Sequence, residues 1–157
     1  MGEYEDFLIA RGGAINDLGN DLSLKELAVR FVRDSAKHRY SYNFDWMGRP
    51  IIQVPQDIVS MQELIWRVKP DLIIETGIAH GGSLVMSASM LALLDYSDAV
   101  SRKATFDPCK STRKVIGIDI DIRAHNRMAI EQHPMSHLIQ MIQGSSIDLD
   151  IAKQVSD

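Results

Sequence analysis

Apolar positions along the chain fall into two rhythms, helical spacing and short continuous runs, and the runs end at acids or small residues. Ile58, Met61, Leu64, Ile65 and Val68 recur three and four apart and predict a helix from Pro55 to Lys69, stopped by Pro70. Leu27, Ala28, Phe31 and Val32 follow Ser23-Leu24-Lys25-Glu26, a capping-box pattern, and predict a helix over roughly 24–38. Leu72 to Glu75, Lys114 to Ile120 and His137 to Gln143 read as strands, the first so uniformly apolar that a parallel strand covered on both faces is expected. Between them, Ser83 to Leu94 predicts a crossover helix with Leu84, Ala88, Leu91 and Ala92 toward the sheet. Asp121 and Arg123 start a second helix, with Met128 and Ile130 inward, and Asp148 caps a third that runs to Val155. Tyr40 to Trp46 alternates aromatic and polar residues, which suits a short strand or an ordered loop before the turn Met47-Gly48-Arg49-Pro50. Met1 to Asn20, interrupted by Gly12-Gly13 and Gly19-Asn20, receives no firm structure, and Asp95 to Arg113 reads as a long polar loop. The alternation from Pro55 onward is that of an α/β fold.

The first strand and its turn, Asp71-Leu-Ile-Ile-Glu-Thr-Gly-Ile-Ala-His-Gly-Gly-Ser83, admit two readings. Gly77-Ile78-Ala79-His80-Gly81-Gly82 is one substitution from the dinucleotide fingerprint, in which glycines admit a pyrophosphate to a helix N-terminus. It is equally E-x-G-x-A-x-G with a following serine, a looser form of the glycine-rich loop that binds S-adenosylmethionine (SAM). Glu75 favours the second reading. Its carboxylate repels a pyrophosphate and attracts the ammonium and sulfonium of SAM, by roughly 3 kcal/mol per pair at about 5 Å and an effective dielectric near 20, before desolvation. Asp119, at the carboxyl end of the second strand, suits the two ribose hydroxyls of any adenosine ligand.

Pro70 to Leu84, taken with Val115-Ile-Gly-Ile-Asp-Ile-Asp121, resembles the cephalosporin-hydroxylase-like and rhamnosyl O-methyltransferase family, a class I SAM-dependent methyltransferase fold. The likeness runs from about Ile51 to about Asp148. It implies a Rossmann-like, doubly wound parallel sheet over residues 51–157, preceded by an N-terminal helical and loop extension over 1–50. It further implies that Glu75 anchors the methionine end of SAM, that Ser83 takes its carboxylate, that Gly77 and Gly81 allow close approach around Ala79, and that Ser145 or Ser146 meets the adenine edge. Gln53 would lie near the methionine end. An acid is common in relatives at the Ser145 position and is missing here. Only strands one to three of the order 3-2-1-4-5 are recognisable. The resemblance puts the catalytic region and the carboxylates for a divalent metal such as Mg on strands four and five. The chain is therefore expected to be part of a longer polypeptide, with no catalytic residue or metal ligand assigned in it and no methyl transfer by it alone.

Composition narrows the partners. With 45% hydrophobic and 24% charged residues in 157, one domain is expected, and a net charge of −4 offers no attraction for nucleic acid or an anionic membrane. The single Cys109 excludes an intrachain disulfide and a cysteine-cluster metal site, and the acidic N-terminus is unlike a signal peptide. The expectation is a soluble cytoplasmic O-methyltransferase acting on a small-molecule hydroxyl of a sugar or secondary metabolite, for instance in lipopolysaccharide biosynthesis. By resemblance it assembles as a homo-oligomer through the 24–38 helix. Two alternatives stay open: an NAD-dependent oxidoreductase and a non-catalytic nucleotide-binding or assembly module. His80 reads as an exposed loop residue.

Overall fold

The glycines at 12 and 13 do not interrupt the N-terminal segment: in the computed structural model, which describes residues 2–156, Glu3–Asn20 is a single helix, α1. The two glycines cost about 1 kcal/mol each against alanine, which the flanking turns of good helix formers absorb. Helix α2 spans Leu22–Ala36, and its cap is Asp21 rather than Ser23: the Asp21 carboxylate accepts from the amides of Ser23 at 2.9 Å and Leu24 at 3.0 Å. Neither helix buries a residue. Residues through Tyr40 form one compact unit, and those from Ser41 a second.

In the second unit, Phe44–Trp46 (β1) and Arg49–Ile51 (β2) pair antiparallel around Met47 and Gly48. Both turn residues have positive φ, 46° and 80°, as the twist of a tight hairpin requires. Helix α3, Pro55–Val68, ends at Lys69 in the left-handed region just before Pro70. Then come β3 (Leu72–Thr76), α4 (Gly82–Arg102), β4 (Lys114–Asp119), α5 (Ala124–Glu131), β5 (Ile139–Gln143) and α6 (Leu149–Ser156). The three strands are parallel in the order β3-β4-β5, with Glu75 opposite Gly117 and Asp119 opposite Gln143, so their carboxyl ends share one edge. This is the three-stranded half of a Rossmann-like α/β sheet.

Alternation along each strand makes two cores. Val115 joins Leu84, Ala88 and Leu91 of α4, with Ile130 and Leu138, on one face. Ile116, Ile118 and Ile142 meet Ile151 and Val155 of α6 on the other. That second cover stops short of β3, where Leu72 and Ile74 stay 43% and 50% exposed instead of being buried on both faces as expected.

Three further expectations change. Helix α4 continues to Arg102, because Asp95 and Asp98 are paired rather than free: the guanidinium of Arg113, just before β4, binds both, with Asp98 at 2.8 Å. Only residues from Lys103 onward form the loop. Met128 points outward while Ile130 is fully buried, since residues two apart on a helix diverge by about 200°. Ser136–Leu138 is a 3-10 turn, so the third parallel strand begins at Ile139.

Candidate functional site

The turn after β3 is built from alternating left-handed residues. Gly77 at φ 80° extends the ladder by donating to the Ile118 carbonyl at 2.8 Å, and Ile78 drops into the core at 2% exposure. Ala79 has φ 45°, and Gly81, at φ 82°, closes a tight turn by donating to the Ile78 carbonyl at 2.7 Å before α4 starts. An added Cβ at Gly77 would meet nothing within 4 Å, so this backbone lies open to a ligand. At Gly81 a Cβ would stand 2.4 Å from the Ile130 side chain, so this glycine lets Ile130 pack against the turn.

A groove crosses the carboxyl ends of the strands in two halves. One, of about 280 Å³, is lined by Glu75, Ser83, Ala79, Gln53, Met61 and Met86 among others. The second, of about 290 Å³, is lined by Asp119, Ile120, Gly144, Ser145 and Ser146. Thr76 and Gly77 border both. A larger hollow of about 520 Å³ surrounds Arg113 and Asp95 near the amino end of β4, where the charges neutralise one another.

Glu75 is the electrostatic centre of the first half. Burial pushes its carboxyl above the usual range, against the opposing hydrogen bond from the Ser83 hydroxyl. A desolvated carboxylate of this kind gains by taking a cationic partner. Ser83 was expected to present its hydroxyl to a ligand carboxylate; that hydroxyl instead donates to Glu75. What remains for an anionic group is the set of unpaired amides in the first turn of α4.

Asp119 does two jobs in the second half. Its Oδ2 accepts from the Ile78 amide at 2.8 Å and its Oδ1 from the Asp121 amide at 3.1 Å, bracing the glycine turn and the following loop. Burial works to raise its pKa, but the amides of Asp121, Ile78, Ala79 and Ile120 together hold it below the ordinary carboxylate value. The group is thus ionised, and it lines the groove where a diol could reach it. Ser145 and Ser146 follow β5, where the Ser145 carbonyl accepts from the Asp148 amide at 3.0 Å.

Two residues at the turn escaped the sequence reading. Arg49 of β2 donates through Nε and Nη2 to the His80 carbonyl, at 3.0 and 2.6 Å. Asn126 of α5, 4% exposed, donates to the Ala79 carbonyl at 3.0 Å and accepts from Arg49 at 3.2 Å. A signal for Asn126 did exist: it sits midway between Ile122 and Ile130 on the inward face, a polar residue in an apolar row. Arg49 gave none, since its partners, the His80 carbonyl and the Asn126 side chain, lie far along the chain. Among the described residues no group of three or more His, Cys, Asp or Glu is arranged to hold a metal ion.

The family model for rhamnosyl O-methyltransferase/CmcI matches residues 38–157. The chain belongs to this family. A comparison with curated proteins returns no significant match. Among solved structures, CmcI in its apo form shares the fold at TM-score 0.51, with 21% identity over 74% of this chain and 42% of that one. A CmcI structure with SAH aligns at TM-score 0.43 and 21% identity over 65% and 43% of the two chains. One with Mg and SAM aligns at TM-score 0.48 and 21% identity over 71% and 40%. The chain therefore spans less than half the length of these CmcI chains.

Proposed function

We propose that this chain is the cofactor-binding part of a SAM-dependent O-methyltransferase acting on a hydroxyl of a sugar or secondary metabolite. Membership of the rhamnosyl O-methyltransferase/CmcI family supports the class of chemistry. The observation that carries it to these residues is the pairing of opposite demands along one groove: a desolvated Glu75 in one half and an ionised, ribose-ready Asp119 in the other. In this reading Glu75 takes the ammonium, and the open backbone at Gly77 and Ala79 admits the central part of the ligand. The amides at Ser83 receive its carboxylate, Asp119 the ribose diol, and Ser145 or Ser146 the adenine edge. When bound, SAM supplies an electrophilic methyl group; these residues orient it toward an acceptor oxygen and hold it there.

A divalent metal such as Mg, and the groups that lower the acceptor's pKa, are assigned to none of the residues of this groove. Residues 1–50 act as an extension to the cofactor domain at 51–157, and α2 is the proposed contact in a homo-oligomer of a cytoplasmic enzyme of lipopolysaccharide or secondary-metabolite biosynthesis. No helix among the described residues is long and apolar enough to cross a membrane. A nicotinamide dinucleotide fits less well, because its pyrophosphate would have to lie against Glu75.

Calorimetry tests the proposal. SAM binding in the micromolar range, lost in Glu75→Ala and Asp119→Ala while NADH gives no heat, is the expected result. NADH binding without SAM binding would reverse the assignment.

A further inference from the structure

The carbonyls of the glycine turn are tied down from outside the groove, and by residues that line neither half of it. Ala79 carries a Cβ in a backbone region that L side chains rarely adopt, so something must hold it there. Its carbonyl is fixed by Asn126 Nδ2 at 3.0 Å, and the next carbonyl, of His80, receives both the Nε and Nη2 of Arg49. Arg49 and Asn126 are themselves joined at 3.2 Å, and the His80 ring Nδ1 lies 3.4 Å from the same Asn126 oxygen. In a trans peptide the N–H points opposite to the carbonyl, so fixing two successive carbonyls sets two peptide planes and with them the path of the chain from Ala79 to Gly81.

The clamp also has a fixed base. The hairpin that carries Arg49 is pinned to α4 by the Trp46 indole, which donates to Ser89 Oγ at 3.0 Å. His133 holds its tip: the Nδ1 accepts from the Met135 amide at 3.1 Å, leaving Nε2 to donate to the Met47 carbonyl at 3.0 Å. Asn126 is buried on α5 beside Ile130 one turn on, with Ile122 buried just ahead of the helix. Arg49 therefore reaches the turn from one rigid element and Asn126 from another.

We propose that Arg49 and Asn126 are positioning residues for the cofactor, clamping the Ala79 and His80 carbonyls so that the turn is held ready for its ligand. This rests on the reading of the groove as a SAM site. An unclamped turn would have to be ordered at the moment of binding, and the ligand would bear that cost as lost affinity.

The test uses the 157-residue chain with S-adenosylhomocysteine (SAH) as probe and two readouts, calorimetric affinity and amide hydrogen exchange over 77–82. Arg49→Met removes both bonds to His80. Asn126→Asp keeps the acceptor for Arg49 and replaces the donor to Ala79 by a repelling oxygen. Each is expected to weaken SAH by about tenfold, the loss of one or two hydrogen bonds, and to speed exchange at the turn more than in β4. Arg49→Lys, which can still reach one carbonyl, should recover part of the affinity. Leu94→Ala opens a cavity in the core under α4, away from the clamp and both halves of the groove, and should cost stability but leave SAH affinity unchanged. Wild-type binding with unaltered affinity in both clamp variants overturns the proposal alone. So does an equal loss in Leu94→Ala, which would make the effect one of general loosening. No SAH binding by the folded wild-type chain would overturn the cofactor reading and this proposal together.

Discussion

At the scale of single residues, the site sets function against stability at Glu75. Its folded-state pKa is raised by burial, so folding favours the protonated form. Stability from this group is full below the unfolded value of about 4.3 and is lost as pH rises through the folded value. At neutral pH the ionised side chain is therefore a cost. Glu75→Gln should remove it, stabilising the ligand-free chain by about 1 kcal/mol, or about 3 °C in thermal midpoint. The gain should fade as the pH is lowered through the folded value and be gone below the unfolded one, and at neutral pH SAM should bind the variant more weakly. A variant that is less stable at pH 7 would mean the bond from Ser83 outweighs the burial. Asp119 has the opposite sign: its lowered pKa gives stability that is present above about pH 4 and lost as pH falls through the folded value. Both acids were legible in the sequence because each ends an apolar run, Glu75 beside a small-residue turn. Arg49 was not, because residue identity does not reveal a side chain that bonds a distant backbone carbonyl and a distant asparagine.

At the scale of elements, the hairpin and the start of α4 are in van der Waals contact with no slack. A Cβ on Gly82 would come within 2.3 Å of the Pro50 carbonyl oxygen and 2.7 Å of the Ile51 Cα, backbone that cannot swing aside as a side chain can. Gly82→Ala should therefore cost about 2–3 kcal/mol, read as a lower urea midpoint at unchanged slope. An unchanged midpoint would show that β2 does not rest on the helix as described. The second glycine of the Gly81-Gly82 pair thus serves packing rather than a ligand, a distinction no motif pattern carries. Helix lengths were misread for a related reason. Asp95 and Asp98 look like loop residues until Arg113 is brought across from the next strand to pair with them, and α1 contains glycines that usually mark breaks. Periodicity sees apolar faces; it misses helices held by charge pairs or running exposed.

At the scale of the whole molecule, the order of the parallel strands and the edge at which their acids gather were both legible, because right-handed crossovers leave few alternatives. The open side of β3 is the physical consequence that follows from that order. Among the described residues β3 pairs with β4 alone, and its Leu72 and Ile74 side chains remain about half exposed. An apolar strand edge with unpaired backbone groups is a template for another strand. Light scattering on the 157-residue chain should show mass rising with concentration toward about 100 µM, the range in which exposed edges associate. Ile74→Lys should suppress that rise while shifting stability by less than about 0.5 kcal/mol, since the side chain packs against little. The N-terminal helices also expose apolar residues, Phe31 among them at 50%, and are the rival cause. If Phe31→Asp abolishes association and Ile74→Lys does not, the contact lies on α2, as the homo-oligomer proposal requires, and the strand edge is inert.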